Sequence, residues 1–560
     1  MSSPGDIAAT FCATLVDEWV RQGVVHAVVS PGSRSTPLAL ALAGVDAVQV
    51  HIFHDERSAS FAALGIGAAT GTPAVLLCTS GTAATHFHGA VVEAHQSNVP
   101  MIVCTADRPP ELRDVGAPQT IDQTQLFGTA VRWFHDPGVP SLDASSSWRS
   151  LAARSIHIAT GARPGPVHLN LPFREPLVGV VGDIPAPRTM AWSSVQRLAP
   201  SEDRSIDEVA AILSERTGVI VAGKGTGRDV LLLAEALGWP IFADPVSGVR
   251  EENRSVVIGF DSILRCSSFE ESHVPEVILR IGAAPASKVL SQWAARQGSR
   301  VVQLSATEMM SDADHSVEVT VIGDIDSTIK VLASSVKPCP KSWCEAWASA
   351  EEKTQETIDK WTSQNFSEPS VARTVTSSMA VGSHLVVSSS MPIRDVEWYG
   401  TATAGVRVYS NRGTNGIDGV VSTAVGVALA TRAPVTLLIG DIACIHDSNG
   451  LWALNRRDVD LTIVVTNNDG GSIFSFLPQA SVVSGSTFEL LYGTPHGVSF
   501  EHLAAAHGIT YDRATTTEQL RQMLNRNGTR LIEVPCDRAI NVAQHEELQA
   551  AVVAALNATA

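Results

Sequence analysis

The sequence predicts an α/β protein built on doubly wound parallel sheets. Short β-branched runs alternate with longer amphipathic or Ala-rich stretches along the whole chain, as repeated βαβ units require. No short-period repeat or low-complexity tract competes with that pattern. At roughly 100–200 residues per domain, 560 residues leave room for about three or four such units, each with its own core.

The first unit spans residues 1–185. Its strands are expected at Ala27–Ser30, Val48–Phe53, Ala74–Cys78 and Met101–Thr105, with helices between them such as Ile7–Gln22 and Ser58–Thr70. After Leu169–Pro176 the composition changes: Pro185, Pro187 and Pro200 sit in a stretch with little hydrophobic periodicity, which marks a boundary. A central unit, residues 195–338, follows with strands at Gly218–Ala222, Val277–Ile281 and Ser299–Leu304, and residues 341–363 read as a polar linking helix. The last unit, residues 345–560, has strands at His384–Ser388, Val435–Ile439, Leu461–Thr466 and Arg530–Val534. Its Gly/Ala-rich helix, Val420–Thr431, suits close packing.

Composition excludes several classes of function. With 40 Lys plus Arg against 57 Asp plus Glu, the formal net charge is −17, and no basic tail or run is present. A nucleic-acid backbone or an anionic membrane surface is therefore a poor partner. The longest apolar runs fall far short of the roughly 20 residues that span a bilayer. The start, Met1–Asp6, lacks a basic segment followed by an apolar one, so a cytoplasmic location is expected. Eight scattered cysteines with no C-x-x-C pair read as reduced packing thiols. Apolar content of 44% with only 17% charged residues is compatible with surface buried between subunits, and equally with small residues at the surface.

The most informative chemistry lies late in the chain. Asp441 ends one apolar strand, and Asn468, 27 residues on, stands just past the next, within Asn467-Asn-Asp-Gly-Gly471. Open α/β sheets place ligands at such strand ends. A carboxylate, an amide oxygen and a loop carbonyl form an oxygen-only set suited to Mg²⁺, although a helix-capping Asp and a turn-forming Asn-Asp-Gly read the same residues without a ligand.

This strand-Gly-Asp, helix, strand-Asn-Asn arrangement resembles the diphosphate and metal motif of thiamine diphosphate enzymes. The resemblance implies three doubly wound domains: aminopyrimidine-binding (1–185), central (195–338) and diphosphate-binding (345–560). It implies Mg²⁺, with Mn²⁺ as an alternative, held by Asp441, Asn468 and the Gly470 carbonyl. Ile442 departs from the general pattern, which has a second Gly after the Asp, and this points to a subfamily. Thiamine diphosphate chemistry needs a carboxyl group at the aminopyrimidine ring, partly protonated by an apolar surround. Glu56, in His51-Ile-Phe-His-Asp-Glu-Arg57, fits that catalytic role; it also fits the first turn of a helix, stabilised by the helix dipole. In this superfamily the glutamate and the metal motif come from different subunits, so a homodimer or dimer of dimers with active sites at the subunit interface is implied.

Within the superfamily the chain is similar to the 2-succinyl-5-enolpyruvyl-6-hydroxy-3-cyclohexene-1-carboxylate synthase family of menaquinone biosynthesis. Six segments carry the likeness, spanning both end units in order: Ser30-Pro-Gly-Ser-Arg-Ser-Thr-Pro37, Thr79-Ser-Gly-Thr82, Thr105-Ala-Asp-Arg-Pro-Pro-Glu-Leu112, Gln119-Thr-Ile-Asp-Gln123, Ser410-Asn-Arg-Gly-Thr-Asn-Gly-Ile-Asp-Gly419 and Asn467-Asn-Asp-Gly-Gly-Ser-Ile-Phe474. The family decarboxylates 2-oxoglutarate and adds the succinyl carbanion to isochorismate in a 1,4-addition. Both substrates are dicarboxylates, which guanidinium forks bind well. By this resemblance Ser33, Arg34, Arg108 and Gln119 contact isochorismate, and Ser390, Arg394 and Arg412 hold the succinyl carboxylate. Lys288 is the basic residue of the central domain, beside Val289 where some members carry arginine. Ser80, Gly81, Ser390, Ile417, Ile473 and Phe474 join Glu56, Asp441 and Asn468 around the cofactor, Ile417 propping its bent form. For Ile417, Ile473 and Phe474 ordinary packing is the competing reading, and for Arg34 and Arg412 a structural ion pair.

Two rival functions differ in class or substrate. Another thiamine diphosphate-dependent 2-oxoacid decarboxylase or acetolactate-type synthase would not need Arg34, Arg108, Arg394 and Arg412 together. A non-catalytic metabolite-binding protein would have no reason to keep Glu56, Asp441 and Asn468. Two further motifs are discounted: Gly223-Lys-Gly-Thr-Gly227 lacks dinucleotide spacing, and of His86, His88, Glu93 and His95 only His88 and His95 share a helical face, too far apart to ligate one zinc ion.

Overall fold

A computed structural model of the chain describes residues 2–188, 204–285, 287–296, 298–308, 312–452 and 454–558. Three six-stranded parallel sheets organise it. The first has β1 (His26–Val29), β2 (Gln49–Ile52), β3 (Ala74–Cys78), β4 (Met101–Asp107), β5 (Trp133–His135) and β6 (Pro166–Pro172), in spatial order β2-β1-β3-β4-β6-β5. The second has β7 (Gly218–Ala222), β8 (Ile241–Ala243), β9 (Val256–Val257), β10 (Val277–Ile281), β11 (Arg300–Ser305) and β12 (Val317–Ile322), ordered β12-β11-β10-β7-β8-β9. The third has β13 (His384–Val387), β14 (Arg407–Tyr409), β15 (Val435–Gly440), β16 (Leu461–Asn467), β17 (Thr510–Arg513) and β18 (Arg530–Pro535), ordered β14-β13-β15-β16-β18-β17.

The strands expected at Ala74–Cys78, Gly218–Ala222 and Val277–Ile281 and the helix Val420–Thr431 form with those bounds, the other strands shift by one or two residues, and the helix expected at Ile7–Gln22 forms as Pro4–Arg21, starting three residues earlier. Central strands are buried on both faces and read as continuous apolar runs: β3 and β4 are buried along their whole length. Short edge strands such as β5, β9, β14 and β17 gave no such run. Pro200 and the end of the Pro-rich boundary stretch lie outside the described residues.

The chain packs as two compact units. One draws on Met1–Arg197, Asn411–Arg432 and Ala443–Leu461, the other on Leu198–Ser410, Ala433–Ile442 and Thr462–Ala560. The first unit holds the first sheet and, packed on its Glu56–Thr70 helix, the Val420–Thr431 helix. Two glycines permit that approach: a Cβ at Gly65 would lie 2.1 Å from the Thr423 carbonyl oxygen, and one at Gly426 would lie 2.0 Å from that of Ala62. Asp55 caps the Glu56–Thr70 helix by accepting from the Arg57 and Ser58 amides, and Gly71, in the left-handed region at φ 70°, ends it.

In the second unit the Arg538–Asn557 helix covers one face of the second sheet, placing Leu548, Val552 and Leu556 among Phe242, Phe260, Trp293 and Trp347. Arg250, 3% exposed, donates to the carbonyls of Ala243, Val396 and Glu397 and so closes the end of the Met391–Tyr399 helix. All eight cysteines are free, six of them buried. Among the described residues no helix is long and apolar enough to cross a membrane.

Replacing Gly426 with Ala is expected to destabilise the protein by about 2–3 kcal/mol, because the new methyl meets backbone and neither helix can yield cheaply. Urea unfolding checks this, and an unchanged midpoint would show that the helices do not need the close approach.

Candidate active site

In an open parallel sheet the crevice opens where successive connections leave in opposite directions. For the first sheet that point lies between β1 and β3, for the third between β13 and β15, and for the second between β7 and β10. Most of the predicted site residues lie on loops around the first two, and Lys288 does not.

In the first unit, the loop after β1 carries Ser33 and Arg34, and the loop after β3 carries Ser80 and Gly81. Gly32 lets the loops meet, since a Cβ there would lie 2.3 Å from the Thr79 Cβ. Arg108, following β4, donates from Nη1 to Ser80 Oγ at 2.8 Å and from Nη2 to the Pro118 carbonyl at 3.1 Å. Ser80 Oγ donates to the Gln119 carbonyl, and Gln119 Nε2 returns a bond to the Ser80 carbonyl. Ser80, Gly81, Arg108 and Gln119 are thus assembled. Burial, with the Arg34 charge close by, lowers the Arg108 pKa.

Arg34 is 5% exposed and donates to the Phe173 carbonyl and to Glu175, while its Nε is buried without a hydrogen-bond partner. The ion pair weighed from sequence is therefore present, and one guanidinium N–H remains unsatisfied. Ser33 is exposed beside it.

Beneath this cluster lies a polar network that the sequence did not flag. Asn170 Oδ1 accepts from Thr105 Oγ1 and Gln123 Nε2, and its Nδ2 donates to Asp107 and Asp136. Arg113 ties the same two carboxylates at 2.9 and 3.1 Å, and Gln123 Oε1 accepts from the Gly81 amide. Its members lie far apart in sequence and meet only through the β4–β6 pairing, so no local pattern announces it.

Glu56 is the first residue of its helix, half-buried, and near enough to Cys78 at the end of β3 for its charge to help raise that thiol's pKa. The helix start is held firmly. Asn449 donates to Asp55, Arg57 donates to the His446 carbonyl, and Asp447 accepts from the Ser422 amide at 2.7 Å, from Ser422 Oγ and from Ser58 Oγ. Burial pushes the Asp447 carboxyl up to about 6. Arg412 and Ile417 are half-buried on the loop that precedes the Val420–Thr431 helix.

In the second unit, Asp441 is 2% exposed at the end of β15. Its Oδ2 accepts from the Asn468 amide at 3.1 Å and the Gly470 amide at 3.0 Å, and its Oδ1 accepts from the Ile442 amide. The His496 ring stands 3.3 Å from the same carboxylate. Asn468 Nδ2 donates to Glu368 at 2.7 Å, which leaves Oδ1 buried with no hydrogen-bond partner. Burial, reinforced by the Asp395 charge, pushes Glu368 up to about 7. Gly470, at φ 146°, presses against the Gly493 carbonyl, where a Cβ would lie 1.9 Å away.

An orphaned amide oxygen beside a buried carboxylate fits a hard divalent cation. Among the described residues no group of three or more His, Cys, Asp or Glu is disposed to hold a metal. A cation here would need donors of other kinds, such as the Asn468 amide oxygen beside Asp441.

Ser390, following β13, has φ 75° and ψ −135°, a strained conformation for a residue with a side chain, at the start of the Met391–Tyr399 helix. Its carbonyl accepts from Arg394 Nη1 at 2.6 Å. Ile473 and Phe474 are half-buried on the Ser472–Phe476 turn, Phe474 against Tyr492. A cleft of about 550 Å³ opens beside Asn467–Asp469, bordered by Glu489 and Arg538. Lys288 is exposed at the start of the Lys288–Arg296 helix, and Val289 packs into the apolar core behind it. At the second sheet's crossover the two loops pack on each other: a Cβ on Gly223 would meet the Ala283 carbonyl oxygen at 1.6 Å, and Thr226 Oγ1 donates to the Gly223 and Ile281 carbonyls.

Family models agree with this layout. The N-terminal TPP binding domain of thiamine pyrophosphate enzymes matches residues 10–126, the middle domain residues 188–387, and the C-terminal TPP binding domain residues 401–534. Curated 2-succinyl-5-enolpyruvyl-6-hydroxy-3-cyclohexene-1-carboxylate synthases are similar over nearly the whole length. That of Myxococcus xanthus is 39% identical, covering 99% of each chain, and that of Chloroflexus aurantiacus is 41% identical, covering 96% of this chain and 95% of its own. The Thermobifida fusca protein is 40% identical over 97% of this chain and 98% of its own. The chain belongs to the 2-succinyl-5-enolpyruvyl-6-hydroxy-3-cyclohexene-1-carboxylate synthase family.

A benzoylformate decarboxylase from Polynucleobacter necessarius shares the fold of this synthase-family chain, with a TM-score of 0.74 over 94% of this chain and 99% of its own at 18% identity.

Asp447 gives a pH prediction. Its folded-state pKa lies above the unfolded value, so the stability it contributes is present below about pH 4 and is lost as pH rises through about 6. Asp447→Asn does not titrate; relative to wild type it should gain about 2–3 kcal/mol between pH 4 and pH 7. Unfolding free energies at both pH values test this, and a difference independent of pH contradicts it.

Proposed function

We propose that the chain decarboxylates 2-oxoglutarate and adds the remaining four-carbon unit, by 1,4-addition, to isochorismate, giving 2-succinyl-5-enolpyruvyl-6-hydroxy-3-cyclohexene-1-carboxylate for menaquinone biosynthesis. Near full-length similarity to synthases of that name carries the reading. Thiamine diphosphate, when bound, supplies the electron sink that lets CO₂ leave a 2-oxoacid and the carbon nucleophile that follows. Asp441, Asn468 and the Gly470 carbonyl would hold Mg²⁺, with Mn²⁺ as an alternative, which would supply positive charge to the cofactor's diphosphate. Support comes from the unsatisfied Asn468 oxygen.

Glu56 holds and moves a proton at its carboxyl oxygen on the aminopyrimidine side. Ser80, Gly81, Ser390, Ile417, Ile473 and Phe474 line the cofactor. Ser33, Arg34, Arg108 and Gln119 take the carboxylates of isochorismate, with Lys288 assisting from the central domain. The Arg34–Glu175 pair keeps one guanidinium edge engaged and leaves Nε to be satisfied. Arg394, Arg412 and Ser390 orient the distal carboxylate of 2-oxoglutarate. The working form is a homodimer or dimer of dimers in the cytoplasm, with active sites at the subunit interface, and domains near 1–185, 195–338 and 345–560.

CO₂ release from 2-oxoglutarate with thiamine diphosphate and Mg²⁺, followed with and without isochorismate, tests the reading. Isochorismate-dependent turnover supports it; consumption of pyruvate with 2-oxoglutarate ignored replaces it with an acetolactate-type reaction. Glu56→Gln is expected to abolish turnover, a loss of about 10²-fold or more, while thiamine diphosphate binding persists. Unimpaired turnover would remove the assigned role.

A further inference from the structure

We propose that Glu93 is a positioning residue for the Arg412–Ile417 loop, setting affinity for the 2-oxoacid substrate through Arg412. The proposal rests on the substrate assignment above. Glu93 lies in the His88–Gln96 helix and is 2% exposed. Its carboxylate accepts four hydrogen bonds: from the Gly413 amide at 2.8 Å, the Thr414 amide at 2.7 Å, Thr414 Oγ1 at 2.7 Å and Ser97 Oγ at 2.5 Å. All four donors are uncharged, and three of them come from the loop, so a buried carboxylate is solvated largely by the loop it holds.

The helix touches this loop at both ends. Gly89, one turn before Glu93 and on the same face, lies under Asp418, whose Oδ2 would be 2.9 Å from a Cβ there. Gly413 presses on the helix end, where a Cβ would sit 2.7 Å from Ser97 Oγ and 2.8 Å from the Gln96 Cβ. The loop's far end is fixed by Gly419, at φ 66°, against the Phe61 ring. Between these anchors stand Arg412, bonded in sequence to the clamped Gly413, and Ile417. Two adjacent amides aimed at one carboxylate fix the peptide planes that direct the Arg412 side chain. An amide at position 93 would turn an NH₂ toward a donor and break that geometry.

The test combines kinetics with hydrogen exchange on the full-length enzyme. Glu93→Gln is expected to raise KM for 2-oxoglutarate about tenfold, to leave KM for isochorismate within about twofold, and to speed amide exchange in 411–419 but not in 101–107. In an Arg412→Ala background the same substitution should add less than about twofold. Thr414→Val, which keeps both amide bonds and removes only the hydroxyl, should give a smaller change in the same direction. An unchanged KM for 2-oxoglutarate with unchanged exchange in 411–419 overturns the proposal, as does an undiminished effect without Arg412. If the wild-type enzyme ignores 2-oxoglutarate, the substrate assignment fails, and faster exchange in 411–419 with weaker thiamine diphosphate binding would still identify Glu93 as the residue that sets the loop.

Discussion

The Asp441 carboxylate is the constraint on which the third sheet's crevice depends. It sits at the end of a buried strand and gathers the Asn468 and Gly470 amides onto one oxygen. That closure goes with a left-handed Asp469 between them, at φ 54°, and with φ 146° at Gly470 itself. Glu368 then takes the amide nitrogen, so the amide oxygen is left buried and unsatisfied. A buried polar atom without a partner is costly, and a strained loop held by a carboxylate that is itself a ligand type is a reason to retain that cost.

The three sheets share one winding logic and differ in what happens at the crossover. At β1/β3 the loops also meet closely, through Gly32 against Thr79, and they carry Ser33, Arg34, Ser80 and Gly81. At β7/β10, Gly223 and Gly282 let the two loops collapse onto each other's backbone, where Cβ atoms would come within 1.6 Å of Ala283 and 2.3 Å of Lys224. The glycine-rich Gly223–Gly227 segment is thus explained by loop-on-loop packing rather than by a phosphate. Fold alone supplies three potential crevices; side chains and glycine placement decide which are sites.

Most of the architecture was legible because central parallel strands, buried on both faces, are written as continuous apolar runs, and because Gly-Asp and Asn-Asn-Asp-Gly fall at strand ends. Edge strands such as β14 and β17 are short and half-exposed, and carry no such run. The arginines and Glu56 stood out only through motif likeness. Thr105, Asp107 and Gln123 lie in family-like segments and Glu93 beside the histidines, but the Asn170 network and the Glu93 clamp that join them did not stand out, since each joins residues that lie far apart in the chain. On the His88–Gln96 helix the histidines draw the eye, yet the face that matters to the loop is Gly89, Glu93 and the Ser97 that follows. Such roles are visible only once the contacts are known.

In the proposed function, Asp441 and Asn468 would supply half of a cation site that a bound diphosphate would complete. Titrating the protein with Mn²⁺ under electron paramagnetic resonance, with and without thiamine diphosphate, tests it most directly. One tightly held ion per chain that requires the cofactor, and that is lost in Asn468→Leu, is the expected result. Mn²⁺ held equally well without thiamine diphosphate, or undiminished in Asn468→Leu, would contradict it.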